Sequence, residues 1–478
     1  MREAIPGSPT AVIALLLAVP VTVAFFSSFP AYRAAFLSLL VGALLLPVGY
    51  GWELPGVTFL DKGTIPLLTG VAACLALAPG EFRYVRLRGL TLVLAVATFL
   101  GPMATAFTNA DPYAMGTFQT PALTAWDGIG LFRTWAFAIV FPFLFGRMLF
   151  REVRQLEYVA RTLTVAFLLY SIPMLWEVRM SPQLHNTVYG YFPHSFLQQM
   201  RDGGFRPVVF MGHGLALAIS TSFAALASVM LWRRGRKIRQ LPPPFVTFYL
   251  GAVVALCKTL AALMYAGVGG VIMFLAPART QLRIAVVIAC IVLAYPLLRT
   301  FDLFPTSVLT SLSGSASAER AQSLSFRFRN EDLLLAHARE RWLFGWGGYG
   351  RNRVFDEEGN DTTVTDGLWI IVLGDVGAVG FASVFGLMLV PVFQCGRALK
   401  NVRSRSDRTL LASMALLVSL NWADSLPNAL SGGSLMVFVT GAFAGVVEAL
   451  QTPPRIRQER KREHVPAAEP LGPAASTR

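Results

Sequence analysis

Charge is scarce in this chain. Of its 478 residues, 14% are Asp, Glu, Lys or Arg, against 54% that are hydrophobic. Apolar runs of bilayer-spanning length recur along most of the sequence. They exclude a water-soluble core and, being continuous rather than alternating, a closed β-barrel as well. Cysteine is rarer still, at four residues. Cys74, Cys257 and Cys290 fall inside apolar runs and Cys395 near the end of another, which leaves no disulfide framework, zinc spacing or redox pair. No carboxylate or histidine pair has ligand spacing, so neither a metal nor any other cofactor is expected. An internal repeat and a linker able to separate a second membrane domain are also missing. Acidic residues are the minority charge, 27 against 41 Lys and Arg, for a formal net charge of +14. That balance can signal nucleic acid, but these cations mostly flank apolar spans, as orientation in a membrane requires, and no nucleic-acid partner is expected.

What the sequence does contain is a succession of apolar windows, at 9–28, 33–50, 63–80, 89–109, 128–149, 159–176, 208–232, 243–259, 262–277, 281–299, 367–395, 409–423 and 434–450. They argue for roughly twelve to fourteen transmembrane helices. In the clearest case, residues 207–232, His213 is the only ionisable side chain. A basic start followed by an apolar stretch at 1–28 would suit a signal peptide, but a second apolar run from Ala34 follows almost at once and favours a retained span. The expected architecture is therefore an all-α polytopic bundle over residues 1–450. A large external loop at 300–365 contains an amphipathic helix, and a charged, then Pro- and Ala-rich tail at 451–478 is expected to be disordered in the cytoplasm. Basic segments at 147–161, 233–239, 397–408 and 455–462 mark the cytoplasmic side. Counting spans between them puts 176–206 and 300–365 outside, together with the N-terminus.

The unusual residues concentrate in these two external loops. Residues 318–341 have helical character, with Leu324, Phe328 and Leu335 on one face and Arg320 and Arg327 on a neighbouring one. A guanidinium presents a planar fork of donors that matches a phosphate and stays charged, so arginines here could hold a lipid-linked diphosphate. The competing expectation is a surface helix whose arginines meet membrane lipid headgroups or pair with Glu331 and Glu340. Next comes a glycine-rich turn at 342–351, suited to bringing backbone N–H groups against an anion and equally to being a plain turn. The smaller loop carries Glu177, Arg179, His185, Tyr189, His194 and Arg201, then Gly203-Gly-Phe-Arg-Pro207. Arg206 there is suited to a pyrophosphate at the membrane surface or to simple interfacial anchoring. His213 and Lys258 sit inside expected spans, where an ionisable group is costly and is either functional or bonded to a neighbouring helix.

These residues resemble the O-antigen ligase and O-antigen polymerase superfamily of bacterial membrane glycosyltransferases. Arg329-Asn-Glu-Asp-Leu333 matches that family's arginine, three positions, leucine element, and Gly345 to Gly350 looks like its glycine-rich turn. Asp366-Gly367, with Gly377 and Gly380, keeps the register of a ligase element whose first residue is histidine, so Asp366 stands where the ligases have that histidine. The stretches 177–185, 189–191 and 203–207 are similar to exopolysaccharide polymerases of the same superfamily.

The resemblance implies a metal-independent transferase in the bacterial inner membrane with its site facing the periplasm. The donor is an undecaprenyl-diphosphate-linked saccharide, the acceptor a sugar hydroxyl, and a chain-length regulator protein is a possible partner. Arg206, Arg327 and Arg329 are expected to stabilise the departing diphosphate, and Asp366 to take the hydroxyl proton or merely to cap a helix. Arg179, Glu177, Arg201, His213, Lys258, Arg320, Arg339 and Arg351 complete the candidate substrate contacts. A ligase with another acceptor, or a lipid-linked saccharide transporter or flippase, is the alternative. The site assignment requires Arg206, Arg329 and Asp366 to converge on one cavity.

Overall fold

The computed structural model of the protein describes residues 8–53, 59–85, 87–201, 203–316, 318–429 and 433–451, with the side chains at 312, 313, 315, 316 and 318–320 excluded. The tail expected to be disordered beyond Gln451, the basic segment at 455–462 and the Arg320 side chain lie outside the described residues.

Each apolar window meets a helix. The main helices are α1 (Pro9–Ser28), α2 (Ala31–Leu45), α3 (Thr64–Leu77), α4 (Gly89–Thr108), α5 (Ala125–Leu149), α6 (Val153–Met180), α7 (Gly214–Arg233), α8 (Pro243–Leu256), α9 (Leu260–Leu275), α10 (Ala278–Thr300), α11 (Ala318–Glu340), α12 (Leu368–Lys400), α13 (Arg405–Asp424) and α14 (Gly433–Gln451), and two shorter ones, Leu184–Tyr189 and Thr306–Ala316, lie in the loops. Among the described residues eight are long and apolar enough to cross a membrane, and α2, α3, α8 and α9 are shorter apolar helices. The protein is thus an all-α, multi-pass membrane bundle; among the described residues its strands form two short hairpins, Tyr113–Met115 with Phe118–Thr120 and Met200–Arg201 with Gly204–Phe205.

Close backbone approach holds the bundle together. Gly441 and Gly445 of α14, four residues apart, lie directly against the Phe143, Arg147 and Phe150 carbonyls, while Gly146 of α5 lies against Phe438. No Cβ fits at any of the three, which is how small residues let membrane helices pack without a hydrophobic driving force. At one end of the bundle the basic segments come together. Arg147 pairs with Glu448 at 2.6 Å, and Arg234 bridges Glu157 and Asp407 at 2.9 Å each. The opposite end carries segment 181–213 and the chain between α10 and α12. Thr10 at the start of α1 donates to the Val188 carbonyl (2.6 Å), so the N-terminal end of α1 lies there too.

Two span boundaries differ from the sequence reading. The window at 208–232 begins as a helix only at Gly214, and that at 243–259 stops at Leu256. His213 is therefore the N-cap of α7 rather than a mid-span residue, and Lys258 sits in the break between α8 and α9 with φ +50°. Residues 207–213 are apolar yet irregular because their amides find a partner off the helix. The Glu177 carboxylate accepts from Val208 N and Val209 N (2.7 Å each) through one oxygen and from Leu184 N (2.9 Å) through the other. Irregular backbone survives at such depth only where it is satisfied by protein in this way.

Helix α12 is broken at Gly377 (φ +66°, ψ −167°), and the glycine-rich turn docks into the break. Trp346 N and Gly347 N donate to the Gly374 and Asp375 carbonyls (2.7 and 2.9 Å), while Ala378 N donates to the Trp342 carbonyl (2.7 Å). The turn is thereby a backbone splice, and its Gly345, Trp346 and Gly347 N–H groups are engaged by backbone carbonyls.

Candidate functional site

Six pieces of chain meet at the end of the bundle that carries the long loops. They enclose a cavity of about 1600 Å³ lined by Val48 after α2, by residues from 193–216, from the 258–261 break, from α11, from 364–366, and by Asn428 and Ala429 between α13 and α14.

Its floor is set by Glu177. By fixing Val208 and Val209, the latter at φ +52°, this fully buried carboxylate locks a turn that a β-branched residue adopts only when surroundings over-determine it. Two residues earlier the turn delivers Arg206, whose backbone N–H donates to the Gln199 carbonyl (2.8 Å). The guanidinium is almost entirely buried. It donates from Nη2 to Thr259 Oγ1 at 2.8 Å, and its Nε has no acceptor among the described residues. Burial, then the neighbouring Arg201 charge, pushes its pKa down to about 10, so it remains a cation at neutral pH. A buried donor without an acceptor costs on the order of 1–3 kcal/mol.

Beside it, His213 caps α7, its Nδ1 accepting from Leu215 N at 2.9 Å, which leaves the proton on Nε2 to be donated to Gln198 Oε1 at 3.3 Å. The ring meets that of His194 edge-on at 4.9 Å. Burial, followed by the positive field of Arg206, pushes His213 down to about 4, so it is neutral at physiological pH. Lys258 donates to the Arg201 carbonyl at 2.9 Å, tying the α8–α9 break to the small hairpin.

The roof comes from α11. Its Glu331 is buried against Arg299 (3.3 Å), the Tyr295 hydroxyl (3.0 Å) and the Trp369 indole N–H (3.4 Å), so α11 is clamped onto α10 and α12. Burial raises the Glu331 pKa, and the nearby Arg299 charge opposes that rise. Arg327, four residues before Glu331, shares its face and turns into the cavity. There it faces Asp366 with Nε 3.4 Å from Oδ2. Asp366 is not the cap of α12. Gly367 holds that position without a side-chain cap, and Leu368 N donates to the Ser425 carbonyl (2.9 Å). Among the described lining residues, then, Arg201, Arg206, Lys258 and Arg327 confront one carboxylate, Asp366.

Arg206, Arg327, Asp366, Arg201, His213 and Lys258 are thus brought together, whereas the remaining candidates are placed elsewhere. Arg329 is exposed outside the cavity; two positions from Arg327, it projects about 200° around the helix. Arg179 is exposed on the last turn of α6, away from the lining. Glu177 supports the floor and cannot reach a ligand. Arg339 donates to the Thr300 carbonyl at 2.8 Å. Arg351, fully buried, clamps the loop after α4 through the Pro121 and Asp111 carbonyls (3.0 and 3.1 Å). Thr259 and Asn428 were not singled out from the sequence. The alternation of spans puts the turn after α13 at the cavity end, and that was the available signal for Asn428.

A site of this composition can hold a multiply charged oxyanion and offers a carboxylate to a nearby hydroxyl, and it has no cluster of metal ligands among the described residues. Compared with known proteins, the chain matches no protein-family model and no curated protein.

Proposed function

We propose that the protein is a membrane glycosyltransferase that polymerises undecaprenyl-diphosphate-linked oligosaccharide units on the periplasmic face of a bacterial inner membrane. The observation that carries this reading is the cavity itself. Four cations, one with a buried and unpartnered N–H, share its lining with one carboxylate among the described residues, at the membrane-loop end of a multi-pass bundle. The sequence resemblance to O-antigen polymerases and ligases supplies the reaction type.

In this reading the diphosphate of one lipid-linked saccharide lies between Arg206 and Arg327. The acceptor hydroxyl oxygen forms a bond to the anomeric carbon, and the bond from that carbon to the diphosphate oxygen breaks with its electron pair leaving on the diphosphate. Preorganised guanidiniums in a poorly solvated cleft stabilise that developing charge better than water can. Asp366 takes the hydroxyl proton as the new bond forms. His213, neutral and with its Nε2 proton directed into the cavity wall, serves as a hydrogen-bond donor and not as a base. A ligase would differ only in the acceptor.

The test is reconstitution of purified protein with undecaprenyl-diphosphate-linked repeat units from its host. A ladder of longer lipid-linked glycans, lost in Arg206→Ala and Asp366→Asn, is the expected result. Product appearing only when a different acceptor is added would make the protein a ligase. Movement of the lipid across proteoliposomes without bond formation would make it a transporter.

A further inference from the structure

The turn after α13 brings a second polar group to the cavity wall beside Asp366. It receives the start of α12: Leu368 N donates to the Ser425 and Asn428 carbonyls (2.9 and 3.2 Å), and Gly367 lies so close to the Leu426 carbonyl that no Cβ fits between them. On its other side Asp366 follows Val364, whose N–H donates to Asn330 Oδ1 of α11 at 2.8 Å. Asp366 and Asn428 thus reach the cavity from one joint, and both line it.

The Asn428 amide is held in one orientation. Its Nδ2 donates to Oδ1 of Asp424 at 3.0 Å, and Asp424, itself buried, also faces Tyr265 of α9. A carboxylate accepts and does not donate, so the amide nitrogen turns to Asp424 and the amide oxygen points away from it. That oxygen accepts no hydrogen bond among the described residues, yet it is not sealed from solvent as the Arg206 Nε is. Two other lining acceptors are already engaged, Gln198 Oε1 by His213 and Thr259 Oγ1 by Arg206. The four cations can hold a diphosphate but accept nothing, whereas the hydroxyls of a sugar are donors that need acceptors.

We infer that Asn428 determines specificity on the acceptor side of the site: its side-chain oxygen accepts a hydrogen bond from a hydroxyl of the acceptor sugar neighbouring the one that faces Asp366. The inference rests on the reading of the cavity as a glycosyltransferase site and adds the group that selects the acceptor. Anchorage decides the side. Asn428 is bonded to the joint that carries Asp366 and not to the turn that carries Arg206, so it serves the attacking hydroxyl and not the departing diphosphate. A fixed amide discriminates better than a mobile one, because a sugar lacking that hydroxyl leaves the oxygen unpaired in the wall.

The experiment uses the full chain with undecaprenyl-diphosphate-linked repeat units as donor and a panel of lipid-linked acceptor units, each lacking one hydroxyl of the terminal sugar. Single additions are followed by mass spectrometry. Besides the unit lacking the nucleophile, one panel member should be extended about five- to ten-fold more slowly by wild type, the loss of roughly one hydrogen bond. Asn428→Leu should extend the complete acceptor with that same loss and show no further loss on that member, the non-additivity expected of two groups in contact. Its displacement of radiolabelled undecaprenyl diphosphate should stay within roughly two-fold of wild type, because the donor side is untouched. Asn428→Ala repeats the cycle without added bulk should Asn428→Leu fail to fold. Additive losses, weakened diphosphate binding, or a wild-type panel in which only removal of the nucleophile slows transfer would overturn the assignment of Asn428 and leave the transferase standing. Absence of any extension by wild type would overturn both readings.

Discussion

At the scale of residues, the cavity contains a competition. Arg327 is the partner of Asp366 and also a ligand for any phosphate, and one guanidinium cannot satisfy both fully. Removing the carboxylate charge should therefore strengthen anion binding while it removes the proposed base. Asp366→Asn is expected to abolish glycan extension and to tighten diphosphate binding by about three- to ten-fold, roughly 0.6–1.4 kcal/mol. Weaker binding in that variant, measured by displacement of a radiolabelled undecaprenyl diphosphate, would show that the carboxylate positions the ligand. Glu177 makes a contrasting case, since it touches no ligand. Glu177→Ala strands three backbone N–H groups in the interior and should destabilise the protein by about 2–4 kcal/mol, with diphosphate affinity falling because Arg206 loses its turn. A Tm unchanged within 1 °C would contradict this account.

His213 gives a pH signature. Its folded-state pKa of about 4 lies below the ordinary histidine value, so between those limits the unfolded chain binds more protons and stability falls as pH falls. His213→Asn keeps an oxygen acceptor for Leu215 N but cannot titrate. The drop in Tm between pH 6.5 and 4.5 should be smaller in His213→Asn than in wild type, while their Tm values above pH 7.5 stay close. Equal acid sensitivity of the two proteins would exclude His213 as its source.

At the scale of elements, much of the membrane architecture is legible in the sequence. Hydropathy windows report spans because apolar length is what a bilayer demands, and every window found its helix. What they cannot report is whether an apolar residue is helical. Residues 207–213 read as part of a span and are an irregular, partly buried segment, since Glu177, the acceptor of the Val208 and Val209 amides, lies on another helix. Helical periodicity groups Arg327 with Glu331 and separates both from Arg329, but it does not say which face docks. That choice belongs to Arg299, Tyr295 and Trp369, scattered over two other helices. Arg351 looked like a free cation beside a glycine turn because its partners at Pro121 and Asp111 are remote in sequence. The glycine turn and the Gly377–Gly380 element read as separate short motifs, and the fold joins them into one splice. Gly377→Ala tests the splice: a Cβ there runs into the Leu343 backbone, and φ +66° is unfavourable for any side chain. The variant should lose at least 5 °C in Tm or fail to fold, whereas Gly130→Ala, on open surface, should be silent.

At the scale of the whole molecule, one charge asymmetry supports the proposed direction in which the cavity faces. The end opposite it gathers the Arg147, Arg234, Arg397 and Arg405 regions in short connections, and Lys and Arg in short loops are retained on the cytoplasmic side. Cavity-end arginines differ in kind, because many are consumed by the fold, as with Arg299, Arg341 and Arg351 against acids or carbonyls. They are also carried on long connections, where the charge rule weakens. The cavity should therefore open to the periplasm, on the side where a polymerised glycan is delivered. After replacement of the four native cysteines, a membrane-impermeant maleimide on intact cells should label Ser195→Cys at the cavity mouth and not Ser404→Cys at the start of α13. The reverse pattern would put the cavity in the cytoplasm. The anion site would survive that result, but extension of a translocated lipid-linked glycan would not, and the acceptor would have to be sought among cytoplasmic sugars.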